Sequence, residues 1–153
     1  MAINITNILN NAKAHKKVEV THGGSSVYSF GIVNSEGNGK RLSLSKAMVT
    51  KLGIENVETV YVAISEEDNA VLISESASLN YGHECNVKKS GEKRILYSAG
   101  AVKDIVNTFG IPFEGITSRS YNHMEFDVLP DNKPVVCIYI KDLGQGTKNN
   151  END

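Results

Sequence analysis

Two segments of this chain follow the same order of residue types, and this repetition limits the possible folds more than any other feature. The first is KRLSLSKAMVTKLGI, residues 40–54, and the second is KRILYSAGAVKDIVNTFGI, residues 93–111. Each begins with Lys-Arg, alternates apolar residues over a short run, passes a serine, and ends in a bulky apolar residue, glycine and isoleucine. Internal similarity of this kind indicates a duplicated structural unit.

The similarity extends along the whole of each unit. The aligned pairs are Arg41 with Arg94, Leu42 with Ile95, Ser45 with Ser98, Val49 with Val102, Gly53 with Gly110, and Asp68-Asn69 with Asp131-Asn132. We expect the serines to begin short helices, the glycines to end them in the left-handed conformation, and the Asp-Asn pairs to form tight turns. The second unit has a longer helix and an added loop, PFEGITSRSYN, over residues 112–122.

Short alternating apolar runs on both sides of each helix predict a mainly β protein with short helices, an α+β fold. The expected divisions are an N-terminal helix and lead-in over residues 1–26, a first repeat over 27–80, a second repeat over 81–143, and a disordered tail over 144–153. The tail is polar and rich in Gly and Asn, a composition that cannot bury enough apolar surface to order itself.

The charge balance limits how the chain can contact nucleic acid. Lys and Arg number 16 against 18 Asp and Glu, which gives a formal net charge of -2. The protein therefore lacks an overall positive charge, and any contact with phosphates must come from a local basic patch.

No motif for catalysis, metal binding or membrane insertion accompanies these units. The two cysteines, Cys85 and Cys137, lack the spacing of a disulfide framework or zinc site, and we expect reduced, buried thiols in a cytoplasmic protein. His83 and Cys85 share a strand face without further ligands at metal-binding spacing, so we expect no metal and no cofactor. No apolar run reaches the length of a membrane-spanning helix, and no Gly-x-Ser-x-Gly or phosphate-loop motif is present, so we expect no enzymatic activity.

A family resemblance is carried by GNGKRLSLSKAMVTKLGIENVETVYVAISEEDNAVLISE, residues 37–75. A glycine-containing turn, an arginine that opens a short strand, a serine leading into a short helix, LGI, and two strands joined by a tight turn are together similar to the AbrB/SpoVT swapped-hairpin domain. The resemblance implies an interlaced β-barrel whose hairpins exchange between copies. Here both copies would come from one chain, as in tandem relatives of the MraZ type, and each would cover strand edges of the other. The barrel could be a monomer with internal pseudo-symmetry or pair into a homodimer.

Members of this family are mostly transcription regulators and antitoxin subunits that bind double-stranded DNA through basic residues around the first hairpin. The resemblance therefore implies nucleic-acid contacts by Lys40, Arg41, Lys46, Lys93 and Arg94. Arginines related by a pseudo-two-fold axis would present charges at matched places, provided that both are exposed. Alternatively, these Lys-Arg pairs are ordinary solvated strand ends.

A protein-binding function is the competing interpretation. The stretch TSRSYNHMEF, residues 117–126, contains residue types that are enriched at binding surfaces, namely Arg119, Tyr121, His123 and Phe126. On this interpretation the scaffold is an inhibitor or antitoxin-like module that blocks another macromolecule. The simpler alternative is an ordinary connecting loop.

Overall fold

The computed structural model describes residues 28–35 and 39–140. The expected N-terminal helix and the polar tail lie outside these residues. The strands, in chain order, are β1 (Phe30–Ser35), β2 (Gly39–Leu44), β3 (Thr59–Ser65), β4 (Ala70–Ser74), β5 (His83–Ser90), β6 (Lys93–Tyr97), β7 (Ser118–Tyr121), β8 (Met124–Val128) and β9 (Pro134–Tyr139). Helix α1 (Lys46–Leu52) follows β2, a 3-10 turn (Ala77–Leu79) follows β4, and helix α2 (Ala99–Phe109) follows β6. The fold is therefore mainly β with short helices, as predicted.

The strands form one antiparallel sheet in the order β7-β1-β2-β6-β5-β3-β4-β9-β8. Its two outermost strands, β7 and β8, are separated along the chain only by Asn122 and His123. A flat sheet of nine strands would hold its edges about 38 Å apart, whereas a connection of this length reaches about 11 Å. The sheet therefore has to curl so that its two edges approach each other.

The concave side of the sheet holds the main hydrophobic core. Phe30 and Ile32 from β1, Leu42 and Leu44 from β2, and Leu96 from β6 point into it and are fully buried. Both helices add their apolar faces to the same cluster. Strand β4 is buried on both faces, because a second, smaller cluster that includes Leu79 and Leu129 covers its other side.

Local signals at the helix ends and turns are confirmed with one exception. Gly53 and Gly110 end the two helices with φ of 67° and 61°. Asn69 and Asn132 take positive φ in the two predicted turns. Ser98 caps α2, since its hydroxyl accepts from the backbone N–H of Ala101 at 3.0 Å.

The exception is Ser45, which precedes α1 without a side-chain capping bond. Its hydroxyl instead accepts from the backbone N–H of Ser29 at 3.0 Å, and its own N–H donates to the carbonyl of Ser29. Ser45 thus joins the chain before β1 to the start of α1.

The prediction that residues 112–122 form a loop is wrong for the second half of this segment. Residues Ser118–Tyr121 form β7, which pairs with β1 from Phe30 opposite Tyr121 to Val33 opposite Ser118. The backbone of Asn34 extends this pairing by donating to the carbonyl of Thr117 at 2.8 Å. The insertion therefore supplies a strand that covers the edge of β1.

Candidate nucleic-acid interface

The convex side of β1, β2 and β6 is open to solvent. Successive side chains of a strand point to opposite faces, so the neighbours of the core residues Leu42, Leu44 and Leu96 point away from the core. Helices α1 and α2 pack on the concave side, where their buried residues join the core cluster. Among the described residues, neither helix covers the convex side of these strands.

A group of side chains at the centre of this convex surface has a common orientation, and we call it the basic face. It consists of Arg41 and Ser43 on β2, Lys88 on β5, and Lys93, Ile95 and Tyr97 on β6. The strand register places Arg41 opposite Tyr97 and places Ile95 between Ser43 and Lys88. Lys88, Lys93 and Tyr97 are exposed, and the other members are half-buried.

The described strand positions immediately around the basic face carry no carboxylate. These are the convex positions of β1, β2, β6, β7 and the Val87–Ser90 part of β5. Glu84 lies at the far end of β5, opposite Tyr61 of β3. In a chain with 18 acidic residues, the cations of the basic face therefore lie among neutral strand side chains.

Two of the predicted nucleic-acid residues, Lys40 and Lys46, lie outside the basic face. Lys40 is half-buried on β2, opposite Asn34, on the side of the strand that faces the core. Lys46 begins α1, and its Nζ lies 3.4 Å from Oε1 of Glu92 in the turn between β5 and β6. Both side chains of this ion pair are largely exposed, so the pair is weak and leaves Lys46 accessible to solvent.

Arg94 does not meet the expectation of an exposed partner for Arg41. Its side chain is 8% exposed, and its guanidinium donates to the carbonyls of Lys93, at 2.8 Å, and Glu55, at 3.1 Å, with a longer bond to Gly91. Its Nε is buried and has no hydrogen-bond partner in the described part of the chain. Arg94 therefore holds the base of β6 against the segment after α1.

The matched presentation of Arg41 and Arg94 fails because of a one-residue difference between the two hairpins. Leu42 points into the core, whereas Ile95, with which it aligns in sequence, lies on the convex side. A shift of one residue turns every side chain of a strand to the other face. Lys93, rather than Arg94, therefore lies on the same face as Arg41.

The residues of the alternative protein-binding surface do not form a common exposed patch. Phe126 is 8% exposed and packs in the core, with its ring centroid 4.9 Å from that of Tyr28. Arg119 donates from Nε to the carbonyl of Pro112 at 2.7 Å and lies over the ring of Phe113. Its side chain therefore braces the segment between α2 and β7.

Tyr121 and His123 are the more accessible members of this set. Tyr121 is half-buried against the core, and burial raises the pKa of its phenol. His123 is exposed, and its ring lies 5.1 Å from the ring of Tyr139. The hydroxyl of Tyr139 donates to Oε1 of Glu125 at 2.9 Å. This aromatic and acidic group occupies the β8–β9 edge, away from the basic face.

The possible ligands His83 and Cys85 lie on the same face of β5 but make different contacts. His83 faces α2, where its Nε2 lies 3.0 Å from Oδ2 of Asp104. Cys85 points into the core, and burial raises the pKa of its thiol. Within residues 28–35 and 39–140, no group of His, Cys, Asp and Glu side chains is arranged to hold a metal ion. Cys85 and Cys137 are free and buried, as predicted.

Two members of the basic face, Tyr97 and Lys88, are not among the predicted nucleic-acid residues. Strand β5 continues to Ser90, so Lys88 is a strand residue with a fixed direction. The signal for Tyr97 was the period-two spacing of Lys93, Ile95 and Tyr97, which places these side chains on one face.

Comparison of the chain with protein-family models, curated proteins and solved structures finds no match. In the part of the chain that the structure describes, no helix has the length and apolar character needed to cross a membrane.

Proposed function

We propose that this protein is a non-enzymatic DNA-binding regulator that contacts phosphates through the basic face. One observation carries the proposal: Arg41, Lys88 and Lys93 extend from adjacent strands on one face, where the neighbouring described strand positions from Val87 onward on β5 and throughout β2 and β6 carry no carboxylate. Such a patch attracts a polyanion although the whole chain has a net charge of -2, because nearby charges dominate the potential at short range.

The side chains of the basic face fit contacts with double-stranded DNA. The guanidinium of Arg41 can donate two parallel hydrogen bonds to a phosphate or to the edge of a guanine. Lys88 and Lys93 supply mobile point charges suited to phosphates.

We further propose that the chain is a tandemly duplicated swapped-hairpin barrel of the AbrB type. The pairing of equivalent strands supports this proposal, since β2 pairs with β6 and β4 pairs with β9. Exchange between the halves also supports it, since β3 of the first half pairs with β5 and β7 of the second half pairs with β1. A regulator of this kind would act in the cytoplasm, where the free thiols of Cys85 and Cys137 would remain reduced.

The test is binding of the purified 153-residue chain to a pool of fluorescent random duplexes at about 50 mM and about 200 mM salt. We expect the affinity to fall steeply with salt. The double variant Arg41→Ala/Lys93→Ala should bind at least about tenfold more weakly at low salt and have a salt slope smaller by up to about 2, since each lost phosphate contact removes about 0.9.

The matched control is Lys103→Ala/Lys133→Ala, which removes the same charge from α2 and from the turn before β9. If this control loses as much affinity as the Arg41/Lys93 variant, binding reflects net charge and the basic face is not the interface. Absence of salt-sensitive binding would overturn the proposal and favour the alternative of a protein-binding inhibitor or antitoxin-like module.

A further inference from the structure

Tyr97 is the most exposed of the large hydrophobic side chains that the structure describes. It is 58% exposed, compared with 41–43% for Tyr81, Ile116 and Val128. Tyr97 lies at the end of β6 on the convex side of the sheet, directly opposite Arg41 of β2. An exposed aromatic ring beside cations offers an apolar face and positive charge together, and this combination points to a ligand with both negative charge and an apolar ring.

The surroundings of Tyr97 leave its ring accessible. In the strand register, the convex row from Tyr97 continues through Arg41 of β2 to Val33 of β1, and the neighbouring row runs from Ile95 through Ser43 to Gly31. A side-chain carbon at Gly31 would lie 2.5 Å from Oγ of Ser43, so the two strands are closely packed in this second row and its side chains are small. The 58% exposure of Tyr97 leaves its ring accessible, with Arg41 opposite it and this low row beside it.

We propose that the basic face binds single-stranded nucleic acid, with an unpaired base stacked on Tyr97 and phosphates beside Arg41 and Lys93. This inference rests on the proposed function and specifies its ligand. Every base presents a π-face to an aromatic ring, whereas a duplex keeps these faces covered by neighbouring base pairs. Side chains on opposite and alternate strand positions lie about 5 to 7 Å apart, the scale of successive nucleotides in an extended strand.

The shape of the sheet also favours a single strand. The basic face lies on the convex side of a sheet that curls to bring β7 and β8 together. A rigid duplex can place phosphates against a convex surface only over a short length, and its stacked base pairs keep the base faces away from Tyr97. A flexible single strand can follow the surface and bring phosphates to Arg41 on β2 and to Lys93 and Lys88 on β6 and β5. The positive charges of the basic face complement the phosphates, and the exposed ring of Tyr97 suits an unpaired base, so together they favour a single strand as the ligand.

The 153-residue chain can be tested directly because it contains no tryptophan. The variant Tyr97→Trp therefore provides a single fluorescent probe at the proposed stacking position. We expect a mixed-sequence single strand of about 20 nucleotides to quench its emission, whereas the corresponding duplex leaves the emission nearly unchanged.

Substitutions that separate stacking from charge complete the test. Tyr97→Phe should bind the single strand as well as the original chain does, because the ring is retained. Tyr97→Leu keeps a bulky apolar side chain without a π-system and should bind about tenfold more weakly, with the same salt slope. Far-ultraviolet circular dichroism and the urea midpoint verify that each variant is folded.

The possible results distinguish the two proposals. Salt-sensitive duplex binding that requires Arg41, together with single-strand binding unaffected by Tyr97→Leu, would overturn stacking and leave the DNA-binding proposal standing. Unquenched emission of Tyr97→Trp at saturating single strand would likewise overturn stacking. Absence of salt-sensitive binding to either nucleic acid would overturn both proposals.

Discussion

The guanidinium of Arg94 donates from Nη2 to the backbone carbonyl of Glu55, 3.1 Å away. This bond links the base of β6 to the segment that follows α1. Replacing Arg94 with alanine removes this donor and leaves a partly buried carbonyl without it. We expect Arg94→Ala to lower the free energy of unfolding by about 2 kcal/mol, measured by urea denaturation, because hydrogen bonds to a charged group contribute about 1.5–3 kcal/mol.

Arg41→Ala is the matched control, because it removes the same side chain from the basic face. It should change the free energy of unfolding by less than about 1 kcal/mol and weaken nucleic-acid binding. Arg94→Ala, studied at a temperature at which it is folded, should retain the salt dependence of binding. A stable Arg94→Ala variant that no longer binds nucleic acid would show that Arg94 belongs to the interface.

Gly82 packs against the backbone of β3 more closely than a side chain permits. A side-chain carbon at this position would overlap the backbone of Val62, which cannot move without disturbing the β3–β5 pairing. We expect Gly82→Ala to lower the free energy of unfolding by about 2 kcal/mol, within the range found for overpacked positions. Thermal and urea denaturation would measure this loss.

The comparison variant is Gly100→Ala, on helix α2. A side-chain carbon there would meet only the ring of His83, at 3.6 Å, which is ordinary contact. Because alanine favours the helix more than glycine does, this change should be neutral or stabilise by up to about 1 kcal/mol. Equal destabilisation by both substitutions would show that close backbone packing at Gly82 is not the cause.

The main core draws on both halves of the chain, and this predicts that they unfold together. Leu42 and Leu96 face each other across β2 and β6 and are fully buried. We expect Leu96→Ala to lower the free energy of unfolding by about 3 kcal/mol, through lost burial and a residual cavity. In the Leu96→Ala variant, the backbone amides of β4 in the first half and β9 in the second half should lose protection against hydrogen exchange by the same factor.

Val128→Ala supplies the control for this substitution. Val128 is 43% exposed, so its truncation should cost less than about 1 kcal/mol. If Leu96→Ala accelerates exchange in β9 while β4 remains protected, the halves are separate folding units. That outcome would also count against the interlaced barrel.

The features that the sequence predicted correctly are those determined within a few residues. Gly53, Gly110, Asn69 and Asn132 each occupy a conformation that their own side chains, or lack of one, favour. The mainly β fold follows from short apolar alternation. In contrast, Ser45 and Ser98 look equivalent in sequence, and only contact with Ser29 diverts the hydroxyl of Ser45 from the helix.

Features that depend on pairing between strands far apart in the chain could not be predicted from local sequence patterns. Strand β7 is polar and short, and it is ordered by β1, which lies far away along the chain. The face of β6 on which the Arg94 side chain lies depends on the register between the two hairpins, because a shift of one residue turns every side chain of a strand to the other face. The basic face, consequently, became visible only when β5, β6 and β2 were placed side by side.

The tyrosines predict how stability changes in alkaline solution. Burial, followed by the proximity of Cys137 and Glu125, raises the pKa of Tyr139 above its ordinary value of 10.0, and burial raises the pKa of Tyr81 to about 12. In the unfolded chain both phenols ionise near pH 10, so above that pH the folded state binds more protons than the unfolded state. The free energy of unfolding should therefore be steady below about pH 9 and fall as pH rises from about 10 to 12.

Tyr139→Phe separates the hydrogen bond from the ionisation. At about pH 8 the variant should be about 1 kcal/mol less stable, because the bond from the phenol to Glu125 is lost. Between about pH 10 and 12 its stability should decline less steeply than that of the original chain, because one phenol with a raised pKa is absent. Urea denaturation at these pH values measures both effects. If the two chains lose stability equally over this range, ionisation of Tyr139 does not contribute to alkaline unfolding.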